Sequence, residues 1–203
     1  SEAGLRFPRG LSFALPVAPQ IMQGIRNGPT HAYAAEYVRL NNRIDELTAA
    51  LTLELGRRGF GARPLRASQR ADFVHIAGEF PHKTVATRAG LGWIGRHCQL
   101  VTKPFGPWVR LGSVFTDMDL PCGTPVETGS CGQCMRCVEA CPSGALTGAI
   151  WHAGLDREAI LDAAKCDRWK KEHYREYEDG HICGICTAAC PHGLKTLRRS
   201  NEQ

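Results

Sequence analysis

The sequence predicts an α+β protein in two parts: a sheet-and-helix unit over residues 1–120 and a cysteine-rich unit over residues 121–203. Three observations point there. The first part alternates strand-like and helix-like apolar patterns and holds a single cysteine, Cys98. From Pro121 onward, glycine, proline and cysteine dominate and the helical segments shorten. Nine of the ten cysteines lie between positions 122 and 190, which gives that stretch a chemistry the rest of the chain lacks.

Taken in order, Leu11, Phe13, Leu15 and Val17 alternate as a strand does. Pro29-Thr30 offers a helix start, and Tyr37, Leu40, Ile44, Leu47 and Leu51 make one apolar stripe on a long helix. Arg57, Arg58 and Gly59 suit its end, with cations at the negative pole and a glycine to leave it. A second strand is expected around Phe73 and His75, and a short helix, begun through proline, from Pro81 to Arg88. Cys98–Thr102 and Val109–Phe115 read as strands joined by a turn around Pro104 and Gly106, with Cys98 a buried strand residue. A charged helical stretch is expected over about Asp156–Tyr177. Within it Lys170, Lys171, Glu172 and His173 read as an exposed face, and Arg198 and Arg199 as a solvated tail.

Cys131, Cys134, Cys137 and Cys141 form C-x2-C-x2-C-x3-C followed by Pro142, the run of two-cluster ferredoxins, in which the fourth cysteine serves the other cluster. Two-residue gaps let three thiolates curl around one iron–sulfur cube, and the fourth projects a turn further on. Cys183, Cys186 and Cys190, followed by Pro191, repeat the last three gaps without a leading cysteine. Cys166 supplies the missing ligand, with Cys122 the alternative. Exchange then gives one 4Fe–4S cluster Cys131, Cys134, Cys137 and Cys190, and the other Cys141, Cys166, Cys183 and Cys186. Zinc would favour paired knuckles closing on one ion, and a disulfide framework suits a shorter secreted chain with no core of its own.

The formal charge of +5 counts every cysteine as neutral. Two 4Fe–4S centres, each of net charge about −2 with its four thiolates, bring it to about +1, so nucleic acid is an unlikely partner on electrostatic grounds. No apolar run is long enough to span a membrane, which leaves a cytoplasmic location as the expectation. The chain opens on Ser1 rather than on a methionine.

The segment Phe80-Pro-His-Lys-Thr-Val-Ala-Thr-Arg-Ala-Gly-Leu-Gly-Trp-Ile-Gly95 resembles the signature that precedes the clusters in epoxyqueuosine reductases and their short relatives. Leu111–Asp117 and the cysteine set with its isolated Cys166 continue the similarity. Reductive dehalogenases look like more distant members of the same architecture. The resemblance implies a nitroreductase-like α/β domain that binds cobalamin, joined to a ferredoxin-like domain with two 4Fe–4S clusters. It implies electrons drawn from a donor protein such as ferredoxin or flavodoxin and passed to a corrinoid or small-molecule substrate. His82, Lys83, Gly90, Gly92 and Trp93 are the implied cofactor-side residues; no catalytic residue is assigned. Ile76 stands where a gap-free alignment puts the family's acidic proton donor, and His82 stands near a glutamate position. The helical repeats with which longer members hold tRNA do not follow Cys190. The queuosine reaction itself is therefore not expected.

Gly90, Gly92 and Gly95 also spell G-x-G-x-x-G, but a dinucleotide site needs a strand before that run and a helix after it. The reverse order is expected here. Two functions remain open: a reductase whose clusters feed a cofactor in the first part, or a ferredoxin-like carrier whose first part only docks partners. A cofactor pocket beside the Gly90–Gly95 turn would separate them.

Overall fold

The computed structural model describes residues 7–200, with side chains through Thr196. Arg198 and Arg199 therefore lie outside the described side chains. Strand β1 (Arg9–Pro16) leads through helix α1 (Pro19–Gly24) into the long helix α2 (His31–Arg57). The Thr30 hydroxyl caps α2 by accepting from the Tyr33 N–H, and the chain leaves through Gly59 at φ +87°. Leu40, Ile44, Thr48 and Leu55 are its buried residues; of the expected stripe Leu40 and Ile44 are buried, while Tyr37, Leu47 and Leu51 are half-buried.

Strand β2 (Ala62–Leu65) follows, then helix α3 (His82–Arg88), β3 (Gly92–Ile94), β4 (Leu100–Thr102) and β5 (Val109–Thr116). The main sheet is antiparallel in the order β1-β5-β2, with β5 in the centre. β3 and β4 make a separate two-stranded ribbon. The two strands read as consecutive neighbours, β4 and β5, thus belong to different sheets.

Two further expectations fail for identifiable reasons. The Phe73–His75 strand is a turn closed by a single bridge between Asp72 and Ala77. The Asp72 carboxylate accepts from the N–H groups of Val74 and His75, which folds the backbone before it can extend, and Phe73 is 75% exposed. The strand that completes the sheet is β2 instead. Pro64 conceals it, because proline weakens any strand reading, yet an edge strand tolerates the missing N–H.

After residue 120 the helices are α4 (Arg136–Glu139), α5 (Ala163–His173), α6 (Ile185–Ala188) and α7 (Pro191–Ser200). The charged stretch is therefore a 3-10 turn at Arg157–Ala159 followed by α5, which Asp162 caps. One apolar cluster joins both parts: Val17, Met22, Ile25, Leu40 and Trp108 pack with Ala188, and Leu194 lies against them. The Trp108 indole N–H donates to the Thr187 carbonyl at 2.9 Å, which fixes the second cysteine run to the sheet unit.

A second tie is ionic. Asp167, 5% exposed on α5, receives Arg70 at 2.7 Å and Lys171 at 2.8 Å, with Lys170 at 3.7 Å. Burial alone would raise the Asp167 pKa, but Arg70 and the two lysines outweigh it and hold the carboxyl below the usual range. Its contribution to stability is therefore present above about pH 4, the unfolded carboxylate range, and is lost as pH falls through the lower folded value. Asp167→Asn should lower stability by about 2–3 kcal/mol at neutral pH, because it leaves half-buried cations without their anion. Thermal unfolding at pH 7 and pH 3 should show the difference between the two proteins shrink at the acid end.

Candidate functional site

The eight cysteines of the two runs and α5 converge on two neighbouring places. Burial raises the Cys137 thiol to about 12, and Cys190, Cys131 and Cys134 add to the rise because their charges are close. Cys190 arrives from a run that begins 46 positions after Cys137 (Cys183), so it has crossed to the first run. Cys186 is pushed well up by burial, then by Cys183, Cys141 and Cys166. Cys183, near 11, feels Cys166 and Cys141. Cys186 also feels Cys137, which sets the two groups side by side.

Local backbone directs these thiols. Cys190 precedes α7, and the N–H groups of His192 and Gly193 in its first turn point at the sulfur. The Ile185 N–H does the same for Cys183. Such N–H groups stabilise a thiolate, while burial favours the thiol; loading a metal centre must expel those protons. Among the described residues no three His, Cys, Asp or Glu side chains gather closely enough for a single ion. A four-iron cube holds its thiolates further apart, each on its own iron, so a donor set of four cysteines per group fits that centre in number and in chemistry. Cys122 is exposed, apart from both groups.

Beside the second group lies a cavity of about 1080 Å³ between the sheet unit and the cysteine-rich unit. Cys141, Cys166, Cys183 and Cys186 line it together with His82, Lys83, Leu111 and Arg110. Arg110 lies over the Tyr37 ring at 4.2 Å and donates to Asn41 Oδ1. His82 contacts Ser113 Oγ at 2.9 Å and the Arg66 carbonyl at 3.2 Å, and burial lowers its pKa. A smaller groove of about 490 Å³ near Phe105 and Trp108 lies away from the cysteines.

His82 and Lys83 line this cavity. Gly90, Gly92 and Trp93 do not line it. Gly92 sits in β3, and a Cβ there would run into the Val101 carbonyl of β4. Gly90, at φ +82°, turns out of α3 with the Thr124 carbonyl 2.8 Å from where a Cβ would be. These glycines admit backbone, not a cofactor. The observed order, helix α3 then strand β3, is the reverse of a dinucleotide fingerprint, as expected. Cys98 is buried, but in a turn with φ +59° rather than in a strand; Lys83 Nζ donates to its carbonyl at 2.5 Å. The charged face of α5 is also only partly free. Lys170 lines the cavity and donates to the His181 carbonyl, and His173 stacks on Trp169 at 3.6 Å. Sequence reasoning missed Arg157, whose guanidinium holds the carbonyls of His75 and Ile76 at the cavity rim; an exposed-looking arginine gives no signal of such a reach.

Residues 130–193 match the 4Fe-4S double cluster binding domain family. An epoxyqueuosine reductase of Xanthomonas campestris pv. campestris is 34% identical over 183 residues, covering 85% of this chain and 45% of that protein. The enzyme of Bacillus anthracis is 35% identical over 117 residues, covering 56% of this chain and 30% of its own length. The chain thus spans less than half the length of these relatives. In fold, a catabolic reductive dehalogenase superposes with a TM-score of 0.72 at 19% identity, over 95% of this chain and 27% of the other. An epoxyqueuosine reductase solved with an epoxyqueuosine-modified tRNA stem loop superposes at 0.56 and 20% identity, over 92% of this chain and 48% of the other.

Gly92→Ala should cost at least ~2 kcal/mol, because backbone on both sides of the ribbon must move. Its unfolding midpoint by circular dichroism should fall clearly below that of the unaltered protein. The chain is an epoxyqueuosine reductase-like protein carrying a 4Fe-4S double cluster binding domain.

Proposed function

We propose that this protein is an iron–sulfur oxidoreductase whose two 4Fe–4S clusters deliver electrons to a corrinoid, or to a substrate, held in the cavity between its two parts. The observation that carries the reading is the cavity lined by Cys141, Cys166, Cys183 and Cys186 together with His82 and Lys83. A cluster with four cysteine ligands leaves no iron open and performs no bond-breaking by itself. The cluster itself would fill the part of this space against the four thiolates, and the part that reaches His82, Lys83 and Arg110 would supply a reaction chamber. A carrier that only docks partners has no need of it.

The ligand assignment is Cys131, Cys134, Cys137 and Cys190 for the distal cluster, and Cys141, Cys166, Cys183 and Cys186 for the cluster at the cavity. Mutual charge effects within each set, and the exposure of Cys122, support it. When bound, a corrinoid would supply a cobalt centre able to take up these electrons. The chain's own residues do the rest. His82 and Lys83 bound the chamber, Arg157 holds the Ile76 segment at its rim, and Arg110 is braced by Tyr37 and Asn41 against one side. A nitroreductase-like character for residues 1–120, with the boundary near 120, belongs to this reading; the long helix α2 against an antiparallel sheet supports it. An electron donor such as ferredoxin or flavodoxin would serve the distal cluster. Because Ile76 provides no carboxylate, the substrate differs from that of the epoxyqueuosine reductases.

Anaerobically reconstituted protein should hold about eight irons and eight labile sulfides. Cys190→Ala should remove the distal cluster's paramagnetic signal and Cys166→Ala that of the other; loss on Cys122→Ala with Cys166→Ala intact would refute the assignment. Titration of loaded protein with cobalamin, followed by gel filtration and a spectrum under reducing conditions, tests the chamber. Co-elution and cobalt reduction are expected; neither at tens of micromolar would leave the ferredoxin-like carrier as the better account.

A further inference from the structure

Trp93, Arg96 and His97 occupy one short stretch of the β3–β4 ribbon, and all three are buried, with exposures of 9%, 9% and 2%. Each carries a nitrogen with no protein partner: Trp93 Nε1, Arg96 Nε and His97 Nε2. They are three of the six such buried atoms among the described side chains, a concentration that needs a cause. Buried donors are ordinarily satisfied, and leaving one unpaired costs about 1–3 kcal/mol.

The surroundings identify what they face. Arg96 donates to the Gly132 carbonyl at 2.6 Å, inside the Cys131–Cys134 loop, and to the Gly148 carbonyl. The Trp93 ring meets the His192 ring edge-on at 5.1 Å, two residues after Cys190. His97 feels the charge of Lys83 first and then that of His192, so it stands between the cavity side and the Cys190 turn. The Gln99 N–H donates to His97 Nδ1, so in the neutral ring the proton is on Nε2, and that N–H is a donor. Arg96 and Trp93 therefore touch the loops that carry Cys131, Cys134 and Cys190, and His97 lies beside them on the same ribbon.

We infer that Trp93, Arg96 and His97 form a donor shelf whose free N–H groups bond the sulfurs of the distal cluster and raise its reduction potential above that of the cluster at the cavity. Hydrogen bonds and positive charge at the sulfurs favour the reduced, more negative cluster. The first electron taken up then rests on the distal cluster, away from the chamber. The cavity-side cluster is populated only when a second electron arrives. The inference rests on the ligand assignment above, and gives Trp93 a positioning and tuning role at a cluster in place of the corrin contact expected from sequence.

The test is a redox titration of the fully loaded protein with mediators, followed by paramagnetic resonance. In the unaltered protein the signal lost in Cys190→Ala should appear first on reduction. Trp93→Phe keeps the ring against His192 and removes only the N–H. It should lower the reduced-to-oxidised ratio of the distal cluster about tenfold at fixed potential, about 59 mV, and leave the other midpoint in place. A second readout needs no variant. With indole-15N tryptophan, pulsed resonance of the first-reduced cluster should show a nitrogen coupling. Unchanged midpoints in a Trp93→Phe protein with a full iron count, equal shifts of both clusters, or no 15N coupling in the unaltered protein would each overturn the shelf. A protein that holds fewer than two clusters would instead overturn the ligand assignment itself.

Discussion

The approach of the two cysteine runs to one another is the constraint on which the rest of the molecule depends. Three cysteines spaced two residues apart can curl around one place, but the cysteine a helical turn later points away. Cys141 lies beside Cys183 and Cys186, and Cys190 beside Cys137. Each run must lie against the other, as the shared electrostatics of Cys137 with Cys190 and of Cys186 with Cys141 record. The two short helices α4 and α6, which carry these cysteines, consequently pack together.

The crossing also explains why the two parts are not independent. Placing Cys190 at the first group starts α7 at Pro191, directly over the sheet unit. Gly106 and Gly193 are small because Trp108 and the first turn of α7 meet there with backbone at contact distance. Trp108, Ala188 and Leu194 then share a core with Met22 and Ile25. On the opposite side the Arg70–Asp167 pair and the Arg157 clamp close the contact. Between these two seams the surfaces do not meet, and the cavity is what remains. Its position beside Cys166 and Cys183 follows from where the seams lie.

Much of this was legible because period and spacing are local. The α2 stripe, β1, α3 and the cysteine runs each declare themselves within a few residues. What was hidden depends on partners distant in sequence. β2 is a strand only because β5 offers it an edge, and Pro64 argues against it in isolation. Asp72 stops a strand at Phe73 through its side chain, a competition invisible to alternation alone. Gly92 was expected on the cofactor side, but the group that approaches it is the Val101 backbone. Glycine reports that something is near without reporting what.

The same distinction bears on proton supply in the chamber. His82 lines the cavity, and a histidine there invites the role of acid. Its two ring nitrogens are both engaged, Nε2 with the Arg66 carbonyl and Nδ1 with Ser113 Oγ. A carbonyl only accepts, so Nε2 carries the proton and Nδ1 accepts from the serine. Burial lowers its pKa and keeps it in that neutral form. Delivering a proton into the cavity would break the bond to the Arg66 carbonyl. His82 therefore braces α3 against β5 and the Leu65–Arg66 segment. A proton for any reduction must come from the substrate, from water, or from another residue of the lining.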